Sequence, residues 1–273
     1  MTLRPLLHVE SARPTQDGDG VKIRRIAGFT QHKMDPFLML DELKADEAKD
    51  YIGGFPPHPH RGIETLTYML QGHFRHQDHM GNVGELRDGG AQWMSAGRGV
   101  IHSELPISTE GQLHGFQLWI NLPAAKKMQA PAYRDFQPES VPEVALGDVL
   151  SARVISGELA GTHGPLRDPA VPILVADLRG SGSVTLPVTS DFKVMAYLYR
   201  GQVRCGNQVI DAGQMLFFGE GDQLALEGEG MGLLLMAGRP IGEPVVHWGP
   251  FVMNTQAEIE QAVRDYQSGT LTD

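Results

Sequence analysis

Residues 54–72 of the chain read Gly54-Phe-Pro-Pro-His58-Pro-His60-Arg-Gly-Ile-Glu64-Thr-Leu-Thr-Tyr-Met-Leu-Gln-Gly72. The part from Thr65 to Leu70 is rich in β-branched and apolar residues, which is typical of a β-strand. His58 and His60 lie two positions apart, and residues with this spacing point to the same side of a strand. The segment therefore predicts strand structure that presents two imidazoles on one face.

A second pair with the same spacing, His102 and Glu104, lies further along the chain. If the two pairs occupy facing strands, three imidazoles and one carboxylate point at a common centre. Nitrogen and oxygen donors without a thiolate suit a divalent metal ion, and such a site leaves room for a substrate or dioxygen. The two pairs therefore predict a metal site.

The composition of the 273 residues is that of an ordinary globular protein, with 41% hydrophobic and 21% charged residues. The 33 glycines and 18 prolines favour many short strands joined by turns over a helical bundle. The net charge of -10 argues against direct binding of nucleic acid, whose phosphates require a basic surface.

Three features of the sequence predict a cytoplasmic protein. No apolar stretch approaches the ~18 residues of a transmembrane helix, so we expect no membrane association. Residues 1–14 lack the sustained apolar segment of a signal peptide. Cys205 is the only cysteine, which excludes an intrachain disulfide and a multi-cysteine metal site and favours a reducing compartment. We interpret Cys205 as a structural residue.

The apolar pattern divides the chain into two β-rich halves. Between about Pro123 and Val149 the pattern fades and prolines accumulate, so we predict two domains, residues 1–137 and residues 138–273.

The C-terminal segment has a clear helical pattern. Thr255 and Glu258 have the spacing of a capping box, and Gly269 is placed to end the helix. The apolar stripe between them consists of Ile259, Ala262, Val263 and Tyr266.

The two halves also resemble each other, which suggests two copies of one β-domain. Residues 68–72 (Tyr-Met-Leu-Gln-Gly) match 197–201 (Tyr-Leu-Tyr-Arg-Gly), and residues 88–90 (Asp-Gly-Gly) match 211–213 (Asp-Ala-Gly). Where the first copy has His58, His60, His102 and Glu104, the second has Pro187, Thr189, Ala225 and Glu227. The fold therefore does not demand the histidines, which favours a chemical role for them.

The two histidine segments resemble the two motifs of cupin domains, and more specifically those of the pirin family. The segments that carry this resemblance are 58–65 (His-Pro-His-Arg-Gly-Ile-Glu-Thr), 92–99 (Gln-Trp-Met-Ser-Ala-Gly-Arg-Gly), 102–104 (His-Ser-Glu), 35–41 (Asp-Pro-Phe-Leu-Met-Leu-Asp) and 249–255 (Gly-Pro-Phe-Val-Met-Asn-Thr). The resemblance implies an all-β protein with two tandem cupin (jelly-roll) β-barrel domains and a short C-terminal helix. Only the first domain would hold a metal.

The resemblance also implies a set of metal ligands. Pirins hold a single metal through the two histidines of the first motif and the histidine and glutamate of the second, here His58, His60, His102 and Glu104. The broader cupin pattern would instead use Glu64, and spacing alone does not choose between the two carboxylates. The pirin-like context favours Glu104, with Glu64 in the pocket beside the metal.

The remaining histidines are interpreted as structural. His73, His76 and His79 recur every third residue, but the glycines around them favour a hairpin or loop, and we prefer a solvated loop over a second metal site. His114 lies on the apolar face of a predicted strand, where we expect a hydrogen-bonded core histidine.

Four further residues lie near the motifs. Trp93 and Met94 are expected in the core. Arg61 and Arg98 are close to the ligand segments, where orientation of a carboxylate, contact with an anionic substrate and a plain salt bridge all remain open.

The resemblance implies a metal-dependent oxidoreductase, because some pirins resemble flavonol 2,3-dioxygenases in activity. Such an enzyme opens the ring of quercetin with dioxygen and releases carbon monoxide. The metal would anchor the 3-hydroxyl group, and Glu104 would remove its proton as general base. We expect iron(II), although the same ligands accept zinc, manganese, nickel or copper.

A second hypothesis is a non-enzymatic, metal-binding regulatory protein that acts through protein-protein contacts. Pirin family members are also described as protein-binding cofactors in transcription or metabolic control. The acidic net charge suits a protein partner better than DNA. The histidine-poor second domain and the C-terminal helix would offer surfaces for such contacts.

Overall fold

A computed structural model describes residues 1–29, 33–107 and 111–273 of the chain. Strands account for 57% of the residues and helices for 8%, so the all-β prediction is confirmed. In the described ranges, no helix is both long and apolar enough to cross a membrane.

The strands and helices of the described residues follow one another in this order. The strands are β1 Leu6–Ser11, β2 Arg13–Asp17, β3 Val21–Ala27, β4 Phe37–Ala45, β5 Phe55–His60, β6 Ile63–Gln71, β7 Phe74–Asp78, β8 Val83–Leu86, β9 Ala91–Ser95, β10 Val100–Pro106, β11 Leu113–Asn121, β12 Ala132–Phe136, β13 Glu143–Ala145, β14 Leu150–Ser156, β15 Glu158–Leu159, β16 Thr162–His163, β17 Ile173–Pro187, β18 Lys193–Cys205, β19 Gln208–Asp211, β20 Gln214–Phe218, β21 Gln223–Gly238, β22 Val246–Trp248 and β23 Phe251–Met253. The helices are α1 Gln256–Gln267 and three short 3-10 helices, Ala48–Asp50, Ala124–Lys126 and Pro138–Ser140.

The chain forms two compact units, and each combines an internal segment with one end of the chain. The histidine unit comprises Arg13–Ser140 and Ile241–Asp273, and the aliphatic unit comprises Met1–Ala12 and Val141–Pro240. The boundary at Val141 lies close to the expected division after residue 137. The two ends of the chain differ from the expectation, because residues 1–12 belong to the unit of the second half and residues 241–273 to the unit of the first half. Strand pairing explains the exchange at the start of the chain, because β1 pairs with β20. The sequence-based domain limits stay a prediction.

The histidine unit contains a seven-stranded and a four-stranded sheet. Their strand orders are β12-β9-β6-β11-β4-β3-β2 and β5-β10-β7-β8, and the sheets are open rather than closed into a barrel. Side chains alternate between the two faces along each strand of the seven-stranded sheet, so in-register residues of neighbouring strands form an apolar row on one face and a polar row on the other. The apolar row contains Leu66, Leu118 and Leu40 in register, and the polar row contains Thr67, Gln117 and Asp41. The polar row is the part of this sheet that matters for the site.

The C-terminal helix and its capping box, both predicted from the sequence, are confirmed. The Thr255 side chain accepts a hydrogen bond from the Glu258 backbone, and the Glu258 side chain returns to the Thr255 backbone, so the capping box is present. Ile259 and Ala262 are buried on one face of α1. Tyr266 is 43% exposed, so the apolar stripe is covered only over its first turns.

The aliphatic unit is built around an eight-stranded sheet. Its main path is β1-β20-β18-β21-β17-β14-β13, and β19 pairs with β18. The strands β17, β18 and β21 are long, with 15, 13 and 16 residues. The core between them consists almost entirely of leucine, valine, isoleucine and alanine side chains. This interior has the composition of a packed core and not that of a binding site.

Candidate metal centre

The two histidine pairs lie on neighbouring strands of the four-stranded sheet. Antiparallel pairing of β5 with β10 places His102 directly opposite His58. Ligand nitrogens of His58, His60 and His102 all lie within 4.8 Å of one another. The ring of His102 is 4.3 Å from that of His58 and 5.1 Å from that of His60, measured between centroids. The structure therefore brings together the three histidines that the sequence singled out.

Burial keeps the imidazoles of His60 and His102 neutral. Burial lowers the pKa of His60 to about 3, with a further contribution from His58, and a hydrogen bond with the Pro250 backbone offsets only part of this. Burial also lowers the pKa of His102 well below its ordinary value, and the neighbouring histidines act in the same direction. A neutral imidazole has a free lone pair, which is the form that binds a metal ion.

The hydrogen bonds of the trio leave ring nitrogens available for a ligand. His58 Nδ1 lies 2.8 Å from the carbonyl oxygen of Pro56, so the N–H of His58 has a partner. His60 Nδ1 and His102 Nε2 are buried and have no hydrogen-bond partner. Buried polar atoms are normally paired, so an unpaired buried imidazole nitrogen is available to a metal ion, a condition that His76 Nε2 also meets.

Glu104 belongs to a second group of donors that shares His102. The described residues contain a trio of His76, His102 and Glu104, whose ligand atoms also lie within 4.8 Å of one another. The Glu104 carboxylate accepts hydrogen bonds from Gln117 Nε2 at 2.8 Å and from Thr67 Oγ1 at 3.4 Å. The register of the β5–β10 pairing shifts between His102 and Glu104, whereas the pairing of β10 with β7 is regular across both residues.

Glu64, the alternative carboxylate, is buried on β6 and belongs to neither trio among the described residues. It pairs in register with Ile120 on β11 and with Ser95 on β9. The assignment of Glu104 rather than Glu64 as a metal ligand stays a prediction.

The solvated-loop prediction is wrong for His76. Residues Phe74–Asp78 form β7, and His76 is only 2% exposed on its inward face. His79 follows the strand and is exposed, and His73 precedes it and contacts Glu85 at 3.1 Å. The glycines around this segment suggested a loop, but the alternation of Phe74, His76 and Asp78 was the signal for a strand with one buried face.

The four other residues that the sequence singled out as structural are buried or partly buried. Trp93 and Met94 are buried, as expected. His114 is partly buried and its Nε2 lies 2.9 Å from Glu42. Cys205 is a free, partly buried cysteine, and burial raises the pKa of its thiol to about 11.

Arg61 forms a buried ion pair that the sequence could not reveal. Its guanidinium donates to Asp265 on α1 at 2.6 Å, to the Leu271 carbonyl at 3.2 Å and to the Arg98 carbonyl. The residue that follows His60 is thereby tied to the C-terminal helix, more than 200 positions away in the sequence. Arg61 therefore forms an ion pair, but a buried one and not the surface salt bridge that the sequence suggested as one alternative.

A cleft of about 740 Å³ opens beside His58 and His60. Its lining includes an aromatic group in which Phe29 stacks on His247 with ring centroids 4.1 Å apart. Trp119 completes this group, 6.2 Å from Phe29 and 5.1 Å from His60. A cavity of this size with aromatic walls suits a small planar molecule.

The cleft also has a charged end. Arg25 donates two hydrogen bonds to Asp41, at 2.8 and 2.7 Å, and a further one to Asp17. Burial disfavours the charged form of Arg25, but the bonds to both carboxylates outweigh it and raise its pKa. Burial raises the pKa of Asp41, and Arg25 offsets this only in part. Carboxylate oxygens at this end can accept hydrogen bonds from hydroxyl groups.

Comparison with known families and proteins assigns both halves of the chain. The family model described as Pirin matches residues 20–120, and the one described as Pirin C-terminal cupin domain matches residues 173–272. A Vibrio cholerae protein that is provisionally named quercetin 2,3-dioxygenase is 57% identical over 97% of both chains. A Caulobacter vibrioides protein named pirin-like is 46% identical, over 98% of this chain and 99% of its own.

The fold is also that of solved structures. The crystal structure of a quercetin 2,3-dioxygenase from Acinetobacter baumannii superposes with a TM-score of 0.92. Its sequence is 30% identical, and the match covers 99% of both chains. The similarity therefore extends over both units and is not limited to the histidine segments.

Proposed function

The chain belongs to the pirin family, and from this premise and its histidine cluster we propose that it is a metal-dependent dioxygenase that cleaves the 2,3 bond of flavonols with dioxygen. The observation that carries the proposal is the trio of His58, His60 and His102 at the wall of an aromatic-lined cleft. The relatives that are named quercetin 2,3-dioxygenase support the same reaction class.

The residues present fit a divalent metal ion. Two buried imidazole nitrogens, on His60 and His102, have no hydrogen-bond partner, and burial keeps both rings neutral. We propose that these two rings hold the ion together with His58 and Glu104, and that the ion is iron(II). Zinc, manganese, nickel and copper suit the same donors. When bound, such an ion supplies Lewis-acid stabilisation of a deprotonated hydroxyl group and redox chemistry toward dioxygen.

Glu104 is the proposed general base. Its carboxylate is buried and held by Gln117 Nε2 at 2.8 Å and by Thr67 Oγ1 at 3.4 Å. These two donors orient the carboxylate, and in this proposal it accepts the proton of the flavonol 3-hydroxyl group. The deprotonated ring then reacts with dioxygen: both oxygen atoms enter the ring-opened ester, the C2–C3 and C3–C4 bonds break, and C3 leaves as carbon monoxide.

The cleft supports a planar aromatic substrate. Phe29, Trp119 and His247 offer ring faces and edges next to the histidine trio. Flat polyphenols pack well against such walls because aromatic pairs prefer offset-stacked or edge-to-face contacts. Asp41 and Arg25 at the charged end offer an acceptor and a donor for the remaining hydroxyl groups.

An aerobic assay of the iron-loaded protein tests the proposal. Quercetin, followed by its visible absorbance, and dioxygen should be consumed in equal molar amounts, and carbon monoxide should be released. Metal-free protein treated identically should leave both concentrations unchanged. Absence of dioxygen consumption with iron, zinc, manganese, nickel and copper, each loaded separately, would contradict the enzymatic function.

The exposed Trp248 favours a second candidate, a metal-binding regulatory protein. This side chain is 62% exposed on β22, next to the cleft residue His247. Tryptophan is enriched among the residues that dominate protein interfaces. A protein captured by the metal-loaded form, and lost on Trp248→Ala, would support this function, particularly if no turnover is found.

A further inference from the structure

We propose that His76 and Asp78 position His102, by fixing which of its ring nitrogens carries the proton. His102 would then present the bare lone pair of Nε2 to the metal. This inference rests on the proposed metal site and assigns positioning roles to two residues outside its four ligands.

Strand β7 brings both residues to the site. It pairs antiparallel with β10, and the register places Asp78 opposite His102 and His76 opposite Glu104. Alternation turns both side chains inward, where His76 is 2% and Asp78 is 7% exposed. The two residues therefore lie behind the ligand strand, on the side away from β5.

Asp78 is held as a hydrogen-bond acceptor. Its Oδ1 accepts from the backbone N–H groups of Met80 and Asn82 at 2.9 and 3.0 Å. Its Oδ2 accepts from Asn82 Nδ2 at 2.8 Å and lies 3.5 Å from His76 Nε2, which is within ion-pair distance but is not a hydrogen bond. A bare lone pair on His76 Nε2 would repel this oxygen, so His76 Nε2 carries the proton.

The proton on His76 determines the proton on His102. In the proposed arrangement His76 carries its proton on Nε2, so that its Nδ1 is an acceptor. This Nδ1 lies 3.4 Å from Nδ1 of His102, so His102 Nδ1 donates. The proton of His102 is then on Nδ1, and its Nε2 has a free lone pair. That Nε2 is buried and has no other partner, which suits a metal ligand.

Tyr133 holds the His76 ring in place. The two rings stack with centroids 4.3 Å apart and planes inclined by 18°. Stacking fixes the plane of the imidazole but does not choose its protonated nitrogen. The direction of the hydrogen bond therefore depends on Asp78, and its geometry on Tyr133.

The metal affinity of variants tests this arrangement without any turnover. Cobalt(II) is the probe, because its visible absorption reports the ligand field, and its affinity is measured by competition with a chelator. His76→Phe keeps a ring on Tyr133 but removes the acceptor, and we expect an affinity about 10–100-fold lower with an altered spectrum. His76→Gln retains an acceptor oxygen and should recover most of the affinity and the parent spectrum.

Two further variants control for the loss of a histidine as such and for the direction of the hydrogen bond. His163→Ala removes an exposed histidine of the aliphatic unit and should bind cobalt(II) as the parent protein does. Asp78→Asn can present an N–H group to His76 Nε2, which would reverse the direction of the His76–His102 hydrogen bond. This variant should therefore weaken cobalt(II) binding as His76→Phe does. Circular dichroism checks that each variant is folded, and the Gln and Asn variants carry the test if the Phe variant does not fold.

The outcomes separate this inference from the proposed enzymatic function. Parent-like affinity and spectrum in His76→Phe would overturn the positioning role. Failure of His76→Gln to recover affinity would also overturn it, and would indicate that His76 is itself a ligand. If cobalt(II) binding follows the expected order but no flavonol is cleaved, the enzymatic function fails and the positioning role stands.

Discussion

The seven-stranded sheet of the histidine unit runs β12-β9-β6-β11-β4-β3-β2, and the main path of the aliphatic unit repeats this order as β1-β20-β18-β21-β17-β14-β13. The matching strands follow the same order along the chain, with one exception. β1 comes from the start of the chain and takes the edge position that β12 has in the histidine unit. The sequence repeat therefore corresponds to a repeat of topology.

The interiors of the two units differ sharply. The histidine unit buries imidazoles and carboxylates beside a cleft, whereas the core of the aliphatic unit is filled with side chains such as Leu224 and Leu226. The residues that correspond to His102 and Glu104 in the repeat, Ala225 and Glu227, are exposed on β21. The inward-facing positions of β21 next to them are occupied by Leu224 and Leu226.

Strand continuity also separates the two units. In the aliphatic unit, β17, β18 and β21 run without interruption through 13 to 16 residues. In the histidine unit the corresponding region is broken into shorter strands, and His58, His102 and His76 lie on β5, β10 and β7 of the separate four-stranded sheet. One topology thus supports a packed core or an open site, depending on whether its long strands are interrupted.

The largest effect should come from removing a histidine of the trio. His60→Ala should abolish metal binding and lower turnover by at least about 100-fold, because Lewis-acid stabilisation is worth several kcal/mol and each 1.4 kcal/mol is a factor of ten. Metal content by elemental analysis and dioxygen uptake are the measurements. His163→Ala, an exposed histidine of the aliphatic unit, is the matched control and should change neither.

The two buried carboxylates of the histidine unit should differ in their effect on turnover. Glu104→Gln should lower the rate by about 10²- to 10⁴-fold, the usual contribution of a general base, because the amide cannot accept the substrate proton. Glu64→Gln, a control of equal chemistry, should have a smaller effect. Steady-state dioxygen uptake with quercetin compares them. The reverse order would identify Glu64 as the functional carboxylate.

The convergence of His58, His60 and His102 was predictable because two-residue spacing on strands fixes the face of each side chain. The capped helix was predictable for a similar reason, since its capping box and apolar stripe are local signals. Both features depend on residues that are close in sequence.

Other features could not be predicted because they depend on pairings that are distant in sequence. Local periodicity does not tell which strand will accept β1 as its neighbour, and it does not pair Arg61 with Asp265. The irregularity between His102 and Glu104 likewise depends on the partner strand. His76 was missed for a different reason, since the surrounding glycines outweighed a short alternating pattern.

The aliphatic core should contribute stability without affecting the metal. Leu235→Ala removes a fully buried side chain from that core, and the free energy of unfolding should fall by about 2–5 kcal/mol. Chemical denaturation measures this change, and cobalt(II) titration of the folded variant should give the parent affinity. A loss of cobalt(II) affinity in this variant would show that the two interiors are coupled.

A gradual effect, of at most about 1.4 kcal/mol per pH unit, concerns Lys127, a buried charge of the histidine unit. It is 1% exposed, and its ammonium group donates to the carbonyls of Gly62 and Val252, both at 2.9 Å, and to Asn121 Oδ1 at 2.7 Å. Burial lowers its pKa to about 7, and the charges of two glutamates oppose this only in part. The polar interior of this unit should therefore impose a pH dependence that a leucine core lacks.

The sign of this dependence follows from proton binding. Between about pH 7 and the ordinary lysine pKa near 10.4, the unfolded chain holds a proton that the folded protein has released. The free energy of unfolding should therefore rise with pH across this window, by up to about 1.4 kcal/mol per pH unit. Lys127→Met should lack this contribution, so parent minus variant stability should increase from pH 7 to 10. A difference that stays constant would mean that Lys127 keeps its charge in the folded protein, held by its three hydrogen bonds.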